Sequence, residues 1–289
     1  MIYNLGSINA DFFYRMPRLP GPGETLAATA MSSGLGGKGA NQSVAVARAG
    51  ARVRHIGSVG SDGRWLVDQL AAAGADVAGI RISDLPTAHA IVMIDSAGEN
   101  QIVIYPGANH DQCPEQIKAA FAEASPGDWL LLQNETSHQL EAAEMANGIG
   151  MCVAYSAAPF DADAVARLLP HLSLLIMNEV EAGQLTKALG KPVLHLPVAN
   201  VLITKGAKGA DWNDTRLLQT VSIPAFSVDP VDTTGAGDTF AGYAVAGLSQ
   251  EMSPQGALRR AAAAAAISVT RPGTADAIPT LVEVEAFLA

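Results

Sequence analysis

From Pro114 onward, short apolar runs alternate with stretches of helix-forming residues. The pattern predicts helix 114–124, strand 128–132, helix 136–147, strand 151–155, helix 161–169, strand 173–177 and helix 179–188. Val201–Thr204 reads as a further strand, Ala207–Asn213 and Arg216–Val221 as antiparallel pieces, and 237–248, 254–270 and 280–288 as closing helices. Short buried strands alternating with helices predict an α/β fold: a doubly wound, mostly parallel central sheet with helices on both faces. Earlier in the chain, Ile2–Ile8 reads as a strand, as do Phe12–Met16 and Thr25–Ser32. Gln42–Ala49 reads as a helix stopped at Gly50, Val53–Val59 as a strand, and Asp62 as the N-cap of a helix running to Ala73. Ala88–Asp95 and Asn100–Tyr105 read as a hairpin across Ser96-Ala-Gly98. The blocks 11–32 and 88–105 break the alternation. They predict a small β-sheet acting as a lid on a single domain, 1–289.

Composition narrows the function. With 49% apolar and 16% charged residues the chain reads as a globular enzyme. A balance of 18 − 28 = −10 disfavours nucleic acid or an acidic membrane as partner. A small anionic ligand stays compatible, because local backbone dipoles can outvote net charge. Cys113 and Cys152 stand far apart without metal-type spacing and read as free thiols. With no basic-then-apolar leader and no apolar run of membrane-spanning length, the expected setting is cytoplasmic.

The chemistry concentrates in Asp232-Thr-Thr-Gly-Ala-Gly-Asp-Thr-Phe240. A Gly-Ala-Gly turn opening a helix aims unpaired N–H groups at one point, with the positive end of the macrodipole behind them. Asp238 in that first turn is placed to take a proton from a nucleophile while Gly235, Ala236 and Gly237 receive a phosphoryl group. Alone, the same stretch reads equally as an Asp cap after a glycine turn. Gly34-x-Gly36-x-x-Gly39 matches a dinucleotide fingerprint literally but lacks the acidic residue after the next strand. A Walker A loop fails because Gly39 follows Lys38. Thr204-Lys-Gly206-Ala-Lys-Gly209 reads either as a nucleotide loop or as a plain turn.

Asn9-Ala-Asp11, Gly36-Gly-Lys-Gly-Ala-Asn41, Asn178-Glu-Val-Glu181 and Asp232-Thr-Thr-Gly-Ala-Gly-Asp238 together resemble the ribokinase (PfkB) family of sugar kinases, from Gly6 to about Leu288. The resemblance implies transfer of the γ-phosphoryl of ATP to the 5-hydroxyl of ribose, with Asp238 as base and Gly235–Gly237 as anion hole. It implies a sugar site at Asn9, Asp11, Gly36, Gly37, Lys38, Asn41 and Glu135, and a nucleotide site at Asn178, Thr204, Gly206 and Gly209. Glu181 would hold Mg²⁺ through water, the spacing of Asn178 and Glu181 putting both on one helix face. Asp232 and the Thr234 carbonyl would serve an activating K⁺, and the lid strands would pair in a homodimer. Four features depart from the family pattern: a short segment between Thr186 and Val201, Ala262 facing the adenine position, Ala277 near the cation, and Asn134 and Thr136 as the neighbours of Glu135. Phe12, Phe13, Ile91 and Ile102 would decide between ribose and the alternatives, another sugar or a nucleoside. A sugar-binding or regulatory protein without transfer is the reading from another class.

Overall fold

The computed structural model describes residues 1–289. The chain opens with β1 (Ile2–Leu5), then β2 (Asn9–Arg15), β3 (Ala30–Gly36), α1 (Lys38–Arg48), β4 (Val53–Gly60), α2 (Arg64–Ala72) and β5 (Asp76–Ser83). A pair, β6 (Ala88–Ile94) and β7 (Asn100–Tyr105), follows. The alternating part comprises α3 (Pro114–Ala120), β8 (Trp129–Gln133), α4 (Gln139–Ile149), β9 (Cys152–Ser156), α5 (Ala162–Leu168), β10 (Leu174–Asn178), α6 (Glu179–Leu189) and β11 (Asn200–Thr204). Strands β12 (Ala210–Asp214) and β13 (Gln219–Ile223) precede the helices α7 (Ala236–Ser249), α8 (Pro254–Ser268) and α9 (Leu281–Leu288).

Nine strands form the main sheet in the order β13-β12-β11-β10-β9-β8-β1-β4-β5, parallel from β11 to β5 and antiparallel at β12 and β13. Its central strands are nearly continuous apolar runs because both faces are covered. Ile2, Leu131, Leu174 and Ile176 pack with α1, α7 and α8 on one face, whereas Tyr3, Leu130, Leu132 and Leu175 pack with α3 to α6 on the other. The second sheet runs β3-β2-β6-β7, joining the two early blocks as the sequence predicts.

Four local readings differ. The strand expected at Thr25–Ser32 begins only at Ala30 and runs on to Gly36, so the small sheet takes in the start of the first glycine-rich segment. Ile2–Ile8 is not one strand: the chain leaves the main sheet after Leu5 and enters the small sheet at Asn9. Asp76–Ser83, which carries no clear alternation, forms an edge strand beside β4 with a bulge near Arg54. Asp62 caps no helix. Its carboxylate accepts from Thr87 N (3.1 Å) and Thr87 Oγ1 (2.6 Å), tying the turn before α2 to the start of β6. The short segment after α6 is a single 3₁₀ turn, Val193–His195, with Leu196 and Val198 buried behind it.

Helix α7 is apolar almost all round and lies against both α1 and α8. The crossing with α1 is close because position 242 is glycine. A Cβ there would sit 2.5 Å from Ala45 Cβ and 2.8 Å from the Gln42 carbonyl. This contact carries the first turn of α1 onto the first turn of α7.

Candidate active site

Gly235 is the N-cap of α7 and takes the left-handed conformation at φ 73°, which turns the chain into the helix. Thr239 N bonds the Gly235 carbonyl at 2.9 Å, and Ala236 N reaches the Thr233 carbonyl at 3.3 Å. The amides of Gly235, Gly237 and Asp238 have no acceptor within the protein. Of the three residues read as the anion hole, Gly235 and Gly237 thus offer free N–H groups, while Ala236 is partly engaged. Asp238 is 8% exposed. Its Oδ2 accepts from Asn41 Nδ2 (3.1 Å) and its Oδ1 from Gln42 Nε2 (2.9 Å). It does not cap its own helix, so the plain-cap reading falls away.

The residues read as the sugar site lie close to it and to one another. Strand β2 supplies Asn9 and Asp11 on one face, opposite Gly36 and Gly34 of β3. A Cβ at Gly36 would lie 2.0 Å from Asp11 Oδ2, so only glycine leaves room for that carboxylate. Asp11 Oδ1 is buried without a partner. Burial, reinforced by the Glu135 carboxylate, pushes the Asp11 carboxyl up to about 7. Glu135 faces the start of α1. Its Oε2 accepts from Ser7 Oγ and from Lys38 N (3.2 Å). Burial pulls the Lys38 ammonium down, but Asp238, Glu135 and Glu181 outweigh it and hold it above its ordinary value. Asn9 Oδ1 accepts from Asn109 Nδ2 (2.8 Å), leaving its own amide hydrogens for a ligand. Phe13 and Ile102 share the face of Asp11, whereas Phe12 and Ile91 fall on the opposite one, so that set cannot act together on a ligand.

On the far side of the Gly235 turn lies a cavity of about 520 Å³ lined by Thr204, Gly206, Gly209, Gly237, Phe240 and Ala262, among others. Its walls are mostly apolar, as a purine would require. The lysines of the 204–209 loop are committed elsewhere: Lys205 pairs with Asp211 at 2.7 Å and Lys208 with Glu179 at 3.3 Å. Glu179 is thereby the exposed partner of Lys208. Asn178 is the N-cap of α6 rather than a residue on its face. Its side chain accepts from Glu181 N (2.9 Å) while Glu181 Oε2 accepts from Asn178 N (2.8 Å), a reciprocal capping box.

A profile described as pfkB family carbohydrate kinase matches residues 1–281. The chain belongs to the PfkB family of carbohydrate kinases. It is 38% identical to a ribokinase of Haemophilus influenzae over 299 aligned positions, which cover 98% of this chain and 97% of that one. A ribokinase of Thermotoga maritima superimposes with a TM-score of 0.89 at 34% identity, covering 99% of this chain and 98% of the other. Arabidopsis thaliana ribokinase, solved with ribose and ATP, gives 0.87 at 28% identity, again over 99% and 98%.

The metal expectations of a PfkB kinase can be tested on the donors present. No group of three or more His, Cys, Asp or Glu side chains is arranged to hold a metal ion. Mg²⁺ carried by nucleotide phosphates needs less, and Glu181 keeps one oxygen outside its capping bond. Burial raises the Glu181 carboxyl, against the pull of the Asn178 N–H and Lys38. Asp232 is spent on the backbone: it accepts from Thr234 N (2.9 Å) and Gly273 N (3.1 Å), joining its own loop to the one after α8. Although burial acts to raise it, those bonds hold Asp232 below the usual carboxylate range. Hard oxygen donors suit K⁺, yet Asp232 would serve by fixing carbonyls rather than as a free ligand.

Sequence reasoning did not single out Ser7, Gln42 or Asn109. Each is a short polar residue whose partner lies in a distant segment, so no local spacing marks it.

Proposed function

We propose that this kinase transfers the γ-phosphoryl of ATP to the 5-hydroxyl of D-ribose, giving ribose 5-phosphate and ADP. The observation that carries the reading is Asp238. Its carboxylate lies beside unpaired amides at the start of α7, between a hydroxyl-binding cluster and an apolar cavity of purine-compatible size. Asn9, Asp11, Gly36, Gly37, Lys38, Asn41 and Glu135 hold the sugar, each ring hydroxyl meeting a carboxylate or an amide. Such a site rejects analogues that lack one hydroxyl far better than an apolar pocket does. Asp238 accepts the 5-hydroxyl proton as the oxygen–phosphorus bond forms and the bond to the ADP oxygen breaks. The amides of Gly235 and Gly237 receive the charge that spreads onto the phosphoryl oxygens. Thr204, Gly206, Gly209 and Asn178 border the nucleotide. Glu181 would hold Mg²⁺ through water, which would supply charge neutralisation on the phosphates, and the loops joined by Asp232 would hold K⁺, which would stiffen the turn that carries the amides.

The β2-β3-β6-β7 sheet serves as a lid that excludes water. The exposed apolar residues of β7 pair it with a second copy, and the protein works in the cytoplasm; no helix is long and apolar enough to cross a membrane. An ATP-coupled assay over pentoses, hexoses and nucleosides tests the substrate. Ribose is expected to give the highest kcat/KM, and a nucleoside in first place would replace this reading.

A further inference from the structure

The bond from Gln42 to Asp238 is the last link of a buried polar chain. Gln42 Oε1 accepts from Gln133 Nε2 (2.8 Å), and the same Nε2 donates to Asn4 Oδ1 (2.9 Å). Asn4 Nδ2 donates to the Gly39 carbonyl and to Ser43 Oγ, both at 2.8 Å. Ser43 Oγ meets His55 Nδ1 at 2.8 Å, and His55 Nε2 meets the Gly6 carbonyl at 3.1 Å. Gln42, Gln133, Asn4, Ser43 and His55 are all fully buried.

The direction of each bond is set from the far end. The Gly6 carbonyl can only accept, so His55 carries its proton on Nε2 and Nδ1 becomes an acceptor. Ser43 then donates to His55 and accepts from Asn4. With its amino group used on Ser43 and Gly39, Asn4 presents Oδ1 to Gln133. Gln133 gives its amino group to Asn4 and Gln42 together, and its own Oε1 is left buried without a partner. Gln42 must therefore turn its oxygen to Gln133 and its amino group to Asp238. A flipped amide at either glutamine would place oxygen against oxygen. Burial keeps the His55 ring neutral, against the pull of the Gly6 bond, with its value lowered to about 4, so no protonation near neutral pH reverses the chain.

We propose that Gln42 is a positioning residue for Asp238, and that the Gln133–Asn4–Ser43–His55 chain exists to hold Gln42 in its donating orientation. The inference rests on Asp238 being the proton acceptor. With one amide donor on each oxygen, the carboxylate is held against rotation, and each oxygen keeps a lone pair for the substrate hydroxyl. Such an effect belongs to the reacting geometry and not to sugar affinity, so it lowers kcat and spares KM.

The test uses Gln42→Leu and Gln42→Glu in the full-length enzyme, each alone and combined with Asp238→Asn. Gln42→Leu is expected to lower kcat roughly 10- to 100-fold with KM for ribose within about threefold. Added to Asp238→Asn it should cost nothing more, because the group it positions is gone. Gln42→Glu should lose activity relative to wild type as pH rises, since an ionised carboxylate would face Asp238 where a protonated one can donate. The other charged groups that interact with Asp238, namely Lys38 on α1 and Glu135 after β8, are unchanged in that comparison. Unchanged kcat in Gln42→Leu, or an equal loss in both backgrounds, overturns the inference. If Gln42→Leu does not fold, Gln42→Glu decides alone: a pH profile parallel to wild type overturns it. Wild-type turnover by Asp238→Asn alone would instead overturn the base assignment.

Discussion

A carboxylate removed from water without a counter-charge binds its proton more tightly, and Asp11 is placed in that condition by Gly36 behind it and Glu135 beside it. Below about pH 7 it carries a proton and above that it is an anion able to accept from two hydroxyls. Ribose affinity should therefore be full above pH 7 and weaken as pH falls through it, a trend that calorimetric titration across pH 5.5–8.5 would show and that Asp11→Asn would abolish. The linkage to folding has the opposite sense. Between the unfolded value of 3.8 and about 7 the folded protein holds a proton that the unfolded chain has released, so stability declines as pH climbs through that window. Asp11→Asn should stabilise the sugar-free protein at pH 8 by on the order of 1–3 kcal/mol, a figure reduced for the solvent the carboxylate still sees. Asp11 and Asp238 could be read because each sits in a motif, whereas Glu135 came only with the family resemblance, since no motif surrounds it. Gln42 could not: beside Asn41 in a helix it reads as a surface amide, and it is buried by Gln133 of β8 and by the α1–α7 crossing at Gly242.

The sequence spacing of Asn178 and Glu181 suggested two ligands on one helix face, and the structure gives the pair a second task as the cap of α6. The two roles separate by substitution. Glu181→Gln keeps an acceptor for the Asn178 N–H but loses the charge. It should leave unfolding free energy within about 0.5 kcal/mol while raising the Mg²⁺ concentration for half-maximal activity several-fold, measured by chemical denaturation and a magnesium titration. Asn178→Ala should cost about 1 kcal/mol of stability. The βα alternation after Pro114 could be read because each strand is buried on both faces and each helix begins or ends on a turn signal. β5 escaped because an edge strand needs no such run: Asp-Val-Ala-Gly-Ile-Arg-Ile-Ser mixes polar and apolar positions, with Gly79 packed at 2.6 Å from the His55 carbonyl if given a Cβ.

Across the whole molecule, the small sheet is where apolar surface is left uncovered. Ile102, Val103 and Ile104 of β7 are between 53% and 60% exposed, on a strand with one edge unpaired. A second copy covering that sheet would remove them from water. Sedimentation of the wild type should show a dimer and that of Ile104→Lys a monomer; a monomeric wild type would refute the pairing. The existence of this sheet followed from two blocks that break the alternation. Its order did not, because β2 pairs with β6 across about eighty intervening positions and nothing local encodes that choice. The same topology bears on how the sugar is held. Asn9 stands where the backbone crosses from one sheet to the other, and Asp11 follows on the smaller sheet, while Glu135, Lys38 and Asp238 belong to the larger body. A ribose gripped by all of them is a tie-bar bolted to two separate plates. Its arrival would lock their relative tilt before any phosphate is engaged, making the acceptor itself the latch of the enzyme that modifies it.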